Sequence, residues 1–328
     1  MALGSVTLNL YVYSGTVGDY QASDLKYTIN KNVIIDQSNV VLEIGELARD
    51  FLSVTFNDDY VSRTLWVTAI VNYFDENQTA FTFNNPQTFD HLAFDGYGYY
   101  EDSINPQLST NALISSNEVY HLEDTAGKIP IFAEGVGKVV IDSTTTQITD
   151  NGNSNQKIQY LNIPANSSSV KIYATDDSTL LKTITVTNIC EPKYTPYKVT
   201  FTNKFGAFQD LYFFKKSVET MMVKDETFKR NIVTVGTPVY GTYEAQKNRY
   251  NVNANTSIKL NTGFISEGMN DTIEELFLAE NVWLRIDNKT LPILPKTKSL
   301  TYKTSVNDNL LNYTIEFDYA FDKINNIR

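Results

Sequence analysis

The chain is poor in the residues from which most enzyme and metal chemistry is built. Its 328 residues include one cysteine, two histidines, two tryptophans and four methionines. The lone Cys190 excludes an intrachain disulfide and any cysteine-rich zinc site, and its expected place is that of a small buried hydrophobe at a strand end. His91 and His121 stand in no H-x-x-x-H or HExxH arrangement, so a metal centre would need folding to gather both with carboxylates. No G-x-S-x-G elbow, P-loop or strand-following G-x-G-x-x-G is present, and Asp95-Gly96-Tyr97-Gly98 is followed by no helical pattern. No apolar run approaches the ~20 residues of a membrane-spanning helix. No Lys or Arg precedes Lys26, so the charged start of a signal peptide is missing. The expectation is a soluble, cytoplasmically made protein with no cofactor, no metal and no catalytic residue.

What is present leans toward β structure. Hydrophobic residues make up 42%, enough for ordinary cores, and the aromatics are dominated by 21 Tyr and 18 Phe. Val6, Leu8, Leu10 and Val12 alternate with Thr7, Asn9, Tyr11 and Tyr13, the pattern of a half-buried strand. The net charge of −11 is unevenly placed. Residues 1–196 hold 10 basic and 23 acidic side chains, residues 197–328 hold 17 and 15, so the net changes from −13 to +2. An acidic N-terminal part argues against nucleic-acid binding, which needs cations to neutralise phosphates. It is either a solvated face or a surface that meets near-neutral regions of neighbouring copies.

The expected fold class is mainly β, with two or three β-sandwich-like domains and two short helices. Residues 1–80 read as an N-terminal sandwich, with strands at 5–13, 24–29, 39–43 and 64–74 and a crossing helix over 44–52. Residues 81–130 read as a loop-rich interaction insertion, with Tyr97, Tyr99 and Tyr100 at its glycine-flexed tip. Residues 131–190 read as a second sandwich-like domain, with strands at 138–141, 157–163, 170–174 and 183–187. Asp150-Asn151-Gly152-Asn153 is expected as a hairpin turn. No internal repeat is found.

Residues 191–328 read as a C-terminal β module with one short helix. Pro192 and Pro196 stiffen its start, and Val199 and Phe201 begin a hairpin that turns at Asn203–Gly206 into Leu211–Phe214. A strand at 218–223, a mobile basic stretch Lys224–Arg230 and strands near 231–243 and 256–260 follow. Asp271 is expected to cap a helix with Glu274 as its box partner, Ile273, Leu276 and Phe277 forming the apolar stripe. Trp283–Ile286, Leu300–Lys303 and the alternating run Tyr313–Phe321 complete the strands, with a turn at Asn288–Thr290.

Two pieces of chemistry stay open on the sequence. A glycosidase needs only two carboxylates, and 38 acidic residues supply many pairs; yet Trp66 and Trp283 lie in apolar strand contexts, as core residues do, rather than in a cleft. Asp150, Asn151, Asn153 and Asn155 offer oxygens to calcium, but the EF-hand spacing and its closing Glu are absent.

The runs YTPYKVTFTNKFGAFQDLYFFKKS, LNTGFISEGMNDTIEELFLAENVWL and SLTYKTSVNDNLLNYTIEFDYA, together with VVLEIGELARDFL near the start, resemble tail and neck ring proteins of Bacteroidetes phages, notably the crAss-like bacteriophages. The likeness covers about half the chain, from about residue 190 onward plus 39–52, and its motifs are structural. It implies a structural virion protein, assembled in the host bacterial cytoplasm, that forms an oligomeric ring in the tail or neck barrel. The implied partners are further copies in a closed ring matching the portal symmetry, other tail and portal ring proteins, and DNA only in transit through the lumen. A closed ring needs a heterologous interface, and the candidates are Tyr97, Tyr99 and Tyr100 with Lys224, Lys229 and Arg230, the cations facing a neighbour's acidic N-terminal region. The alternative is a carbohydrate-binding or glycan-cleaving receptor-binding tail protein, with the tyrosine loop as its stacking platform.

Overall fold

The structure, a computed structural model, describes residues 3–33, 39–82, 84–103, 111–233, 236, 239–300 and 310–324. It is mainly β, built of largely antiparallel sheets with two α-helices, one of them barely a turn long. The chain divides into two compact units. Met1–Cys190, Thr200–Leu211 and Gly268–Glu280 form the first; Glu191–Val199, Tyr212–Glu267 and Asn281–Arg328 form the second. The chain thus leaves the first unit after Cys190 and returns to it twice. Cys190 follows the last residue of a strand but is exposed rather than buried.

In the first unit, β1 (Leu3–Tyr13), β2 (Leu25–Asn32), β3 (Leu65–Asp75) and β4 (Gln87–Ala93) form an antiparallel sheet in the order β2-β1-β3-β4. The alternation in β1 does what period two requires: Val6, Leu8, Leu10 and Val12 are at most 3% exposed and pack with Val67, Ala69 and Val71 of β3. Helix α1 (Gly45–Arg49) adds Ala48 to this core. Residues 39–43 form no strand; they run irregularly and lay Val40 and Leu42 on the same core.

The rest of the unit's strands are β5 (Glu118–Leu122), β6 (Gly127–Phe132), β7 (Val136–Ile141), β8 (Thr144–Gln147), β9 (Ile158–Ile163), β10 (Ser169–Ala174) and β11 (Leu180–Ile189). Five make a sheet in the order β5-β11-β10-β7-β8, parallel only between β5 and β11, and β6 pairs with β9. Ile129, Ile131, Leu161 and Ile163 of the pair share one core with Val139, Val170, Ile172, Ile184 and Val186 of the sheet. Segment 81–130 therefore supplies three strands rather than only loop. Edge strand β4 escaped the pattern because most of its residues are exposed and no apolar face marks it.

Residues 150–155 are not a hairpin turn, since β8 pairs with β7 and β9 with β6. They form a joint between the strand systems. Lys157, 3% exposed, donates its ammonium to Asp150 Oδ1 and the Gly152 carbonyl, with Glu134 at 3.7 Å. A lysine ammonium thus takes up Asp150, one of the four residues whose oxygens the sequence offered to calcium. Asn155 accepts from Gly15 N–H at 3.0 Å and donates to the Thr64 carbonyl at 2.5 Å. Asn153 O accepts from Val17 N–H at 2.9 Å and from Trp66 Nε1 at 3.0 Å.

The chain continues through β12 (Tyr197–Thr202), β13 (Phe208–Phe213), β14 (Val218–Lys229), β15 (Lys247–Asn261), β16 (Ile265–Ser266), α2 (Asn270–Leu278), β17 (Val282–Ile286), β18 (Lys289–Pro295), β19 (Leu310–Leu311) and β20 (Thr314–Tyr319). Helix α2 belongs to the first unit, and hairpin β12–β13 divides between the two. In the second unit the row runs β17-β18-β20-β15-β14, antiparallel throughout. Tyr313, Ile315, Phe317 and Tyr319 are all buried, as their alternation predicts. Asp287 and Asn288, both at positive φ, make the two-residue turn between β17 and β18, one residue earlier than the sequence places it. Of the segments expected as strands, 231–233 and 239–243 carry none, while 234–235, 237–238 and 301–303 lie outside the described residues.

Replacing Asn155 by alanine leaves the Gly15 N–H and the Thr64 carbonyl without their partners at a site only 3% exposed. Stability is expected to fall by about 1–3 kcal/mol, read as a lower urea midpoint at unchanged m-value.

Candidate assembly surface

The tyrosine loop is fastened to the first unit by backbone contact. A Cβ on Gly96 would lie 2.6 Å from the Lys204 carbonyl oxygen, and one on Gly206, at φ +71°, would lie 2.9 Å from Asp95 N. Only glycine permits both approaches. Tyr97 N–H then donates to Lys204 O at 2.9 Å. The rings of Tyr97 and Tyr99 meet edge to face at 5.9 Å, and the Lys204 ammonium stands 5.2 Å over Tyr99. Burial pushes both phenols well above the ordinary tyrosine value. Tyr97 and Tyr99 are therefore half-buried, whereas Tyr100 opens the 3₁₀ turn Tyr100–Asp102 with its side chain fully exposed.

The turn that receives this loop is built around Asn203, which is 0% exposed. Its Nδ2 donates to the Leu113 carbonyl at 2.6 Å and to Gln209 Oε1 at 2.9 Å; its Oδ1 accepts from Phe205 and Ala207 N–H, both at 3.1 Å. Beside it lies Glu275 of α2, also 0% exposed. Glu275 Oε1 accepts from Ser115 Oγ and lies 4.0 Å from Lys204 Nζ, while Oε2 has no hydrogen-bond partner among the described residues. Burial raises this carboxyl above the usual glutamate range. Lys182, its ammonium spent on the carbonyls of Ile114 at 2.7 Å and Ser115 at 3.3 Å, is pushed down by burial. A glycosidase acid requires a raised carboxyl, but it also requires access to sugar, and Glu275 has no exposed surface. The cluster acts as a joint that holds α2 under the tyrosine loop.

The start of α2 differs from the capping box expected at Asp271 and Glu274. The chain arrives through the 3₁₀ turn Glu267–Met269, so Met269 at the cap position is already helical and makes no side-chain cap bond. Asp271 is exposed and Glu274 partly so. His91 is exposed on β4, and His121 on β5 places Nδ1 3.1 Å from Leu122 O. No group of three or more His, Cys, Asp or Glu that would hold a metal occurs among the described residues.

The basic stretch Lys224–Arg230 is not a mobile loop: Lys224 to Lys229 form the outer half of β14, and Arg230 follows it. All twelve residues of β14 are exposed. Strand β15 pairs with β20 only over Ser257–Asn261, so beyond Ser257 it has β14 as its sheet partner, paired from Thr256 opposite Met221 to Lys247 opposite Lys229 with one register shift between Lys224 and Glu226. The two strands form a ribbon. It exposes Met221 (58%), Met222 (61%), Val223, Phe228, Tyr250 and Val252, on both of its faces. Arg249 pairs with Asp225 at 2.8 Å and Arg230 with Glu244 at 3.4 Å. Lys224, Lys229 and Lys247 have no acidic partner among the described residues. The sequence reading named Lys224 and Lys229 of β14 and the adjacent Arg230 but missed these apolar side chains. The signal was there: methionine, valine and phenylalanine in a segment with no buried-face alternation.

The Glu275 carboxyl holds its proton more tightly folded than unfolded. Its stabilising contribution is therefore fully present below pH 4.5, the ordinary glutamate value, and is lost as pH rises through the higher folded value. Glu275→Gln removes this titration, so the stability of the variant relative to wild type should increase from pH 4 to pH 7 in urea unfolding. An equal difference at both pH values would show that the carboxylate is not held against its charge.

None of the protein-family models, curated proteins or solved structures compared with the chain matches it, so its role is to be read from its own surface.

Proposed function

We propose that this protein is a non-enzymatic structural subunit of a bacteriophage virion, which assembles through its own copies into a closed ring of the tail or neck barrel. The observation that carries the reading is the ribbon of β14 and β15, whose apolar side chains the chain itself leaves in water. An isolated two-stranded hairpin is at best marginally stable in water, so this one is suited to being covered. Met221, Met222, Val223 and Phe228 are 45–61% exposed, so covering what remains in water would contribute about half of the value for a fully buried side chain, roughly 1 kcal/mol each. Association costs an estimated 4–15 kcal/mol in lost freedom. The ribbon's apolar share reaches only the lower end of that cost, so it supplies part of an interface and needs complementary charge or a second contact.

The resemblance to ring proteins of crAss-like phages supplies the ring, the neighbouring tail and portal proteins, and the passage of DNA. The acidic excess supports a lumen that DNA crosses without binding, since a basic wall would hold phosphates. The enclosure of Glu275 and the half-burial of Tyr97 and Tyr99 favour assembly over glycan chemistry, because Tyr100 alone is a narrow stacking platform.

The test excises the ribbon. Met222 and Asn255 face one another in register, so an Asn-Gly turn replacing residues 223–254 closes the shortened hairpin. In sizing and negative-stain imaging the full chain is expected to give large, regular oligomers, and the excised chain a monomer with cooperative thermal unfolding retained. A full chain that stays monomeric and binds a member of a polysaccharide panel would overturn the reading.

A further inference from the structure

We infer that the ribbon of one copy docks on the acidic, tyrosine-edged surface of the first unit of the next copy, formed by Tyr100–Asp102 with Asp271 and Glu274. This rests on the self-assembly proposed above and adds which surfaces meet. Counted by structural unit, the charge separates sharply. The first unit holds 10 basic and 27 acidic residues, net −17, and the second 17 and 11, net +6.

The ribbon itself calls for an acidic occupant. Lys229 and Lys247 are directly opposite cross-strand neighbours, a like-charge pair that destabilises a hairpin unless an anion lies against it. Arg230 follows immediately and is held by Glu244, so the outer end leaves Lys229 and Lys247 beside Phe228 and Tyr250, whose rings meet at 5.7 Å. A contact of ribbon against ribbon would set these cations against one another, which costs several kcal/mol.

The proposed seat has the converse character. Glu101, Asp102 and Asp271 are exposed and Glu274 partly so, and the Tyr99 ring lies in the field of Asp271, Glu274 and Glu275. Arg49 is engaged by Asp95 at 3.4 Å and Glu280 at 2.6 Å. Tyr100 offers a fully exposed ring to methionine and phenylalanine. The contact joins unlike surfaces, and so it is heterologous, the kind that closes rings.

Two charge-reversed full-length chains test this. One carries Lys224→Glu, Lys229→Glu and Lys247→Glu; the other Glu101→Lys, Asp102→Lys, Asp271→Lys and Glu274→Lys. Circular dichroism checks that each is folded. Each alone should assemble about a hundredfold or more less tightly than wild type, and a chain carrying both sets should recover. Normal assembly by either variant alone, or no recovery in the doubly reversed chain, would overturn the docking while wild-type assembly left the structural reading standing. A wild-type chain that does not assemble would remove both.

Discussion

Strand β15 is held under two different conditions along its length, and the second unit is arranged around that difference. Over Ser257–Lys259 it is paired on both sides, to β14 and to β20, and β20 stays with it to Asn261; Ile258 and Leu260 are 0% exposed. Farther out, β14 is its sheet neighbour on one side; on the other, Lys323 N–H donates to the Ala254 carbonyl at 2.8 Å and Ile324 N–H to Asn253 Oδ1 at 3.0 Å, and among the described residues no strand pairs there with the stretch from Lys247 to Val252. The inner end anchors, and the outer end projects a free edge. Natural sheets blunt such edges with lysine and with bulges, and β14 has both: Lys224 and Lys229, with a register shift between Lys224 and Glu226. The same strand carries Met221, Met222 and Phe228, which reward burial. Lysine discourages indiscriminate strand pairing while the apolar residues favour a partner that brings negative charge.

The first unit prepares its surface differently, by removing freedom rather than by leaving it. Asn203 satisfies four hydrogen bonds inside one turn, and that turn presents the Lys204 carbonyl to Tyr97 and the Lys204 ammonium to Tyr99 and Glu275. Gly96 and Gly206 let the two backbones touch. Residues 97–99 are thus positioned before any partner arrives, which lowers the ordering entropy that association must overcome.

What the sequence disclosed follows from period. The buried faces of β1 and β20 were legible because each lies in a sheet with one face turned to the core, so alternation maps directly onto burial. The turn at Asn203–Gly206 was legible from its residue types. Edge strand β4 and the outer half of β14 were not, because exposed residues obey no hydrophobic period. Glu275 was hidden for the opposite reason. It sits on the buried stripe with Thr272, Leu276 and Ala279, where the helical pattern predicts an apolar residue, and its carboxylate is tolerated there only beside Ser115 and Lys204. Lys157 inside its oxygen cup was hidden too: its partners Asp150 and Gly152 are only seven and five residues away, but a loop that wraps a cation follows no hydrophobic period.

The charge division shows how folding sharpens a sequence signal. Split at residue 196, the chain reads −13 and +2; split by structural unit it reads −17 and +6. Most of the difference comes from α2 and its flank, where Asp271, Glu274, Glu275 and Glu280 leave the C-terminal stretch and join the first unit. In the ring proposed here Asp271 and Glu274, which lie in the docking surface, cannot also repel DNA. Acids beneath a neighbour's lysines are neutralised, and screening confines their field to about 8–10 Å at physiological salt. The repulsive wall must therefore be drawn from other acidic residues of the first unit, on surfaces that the ribbon does not reach.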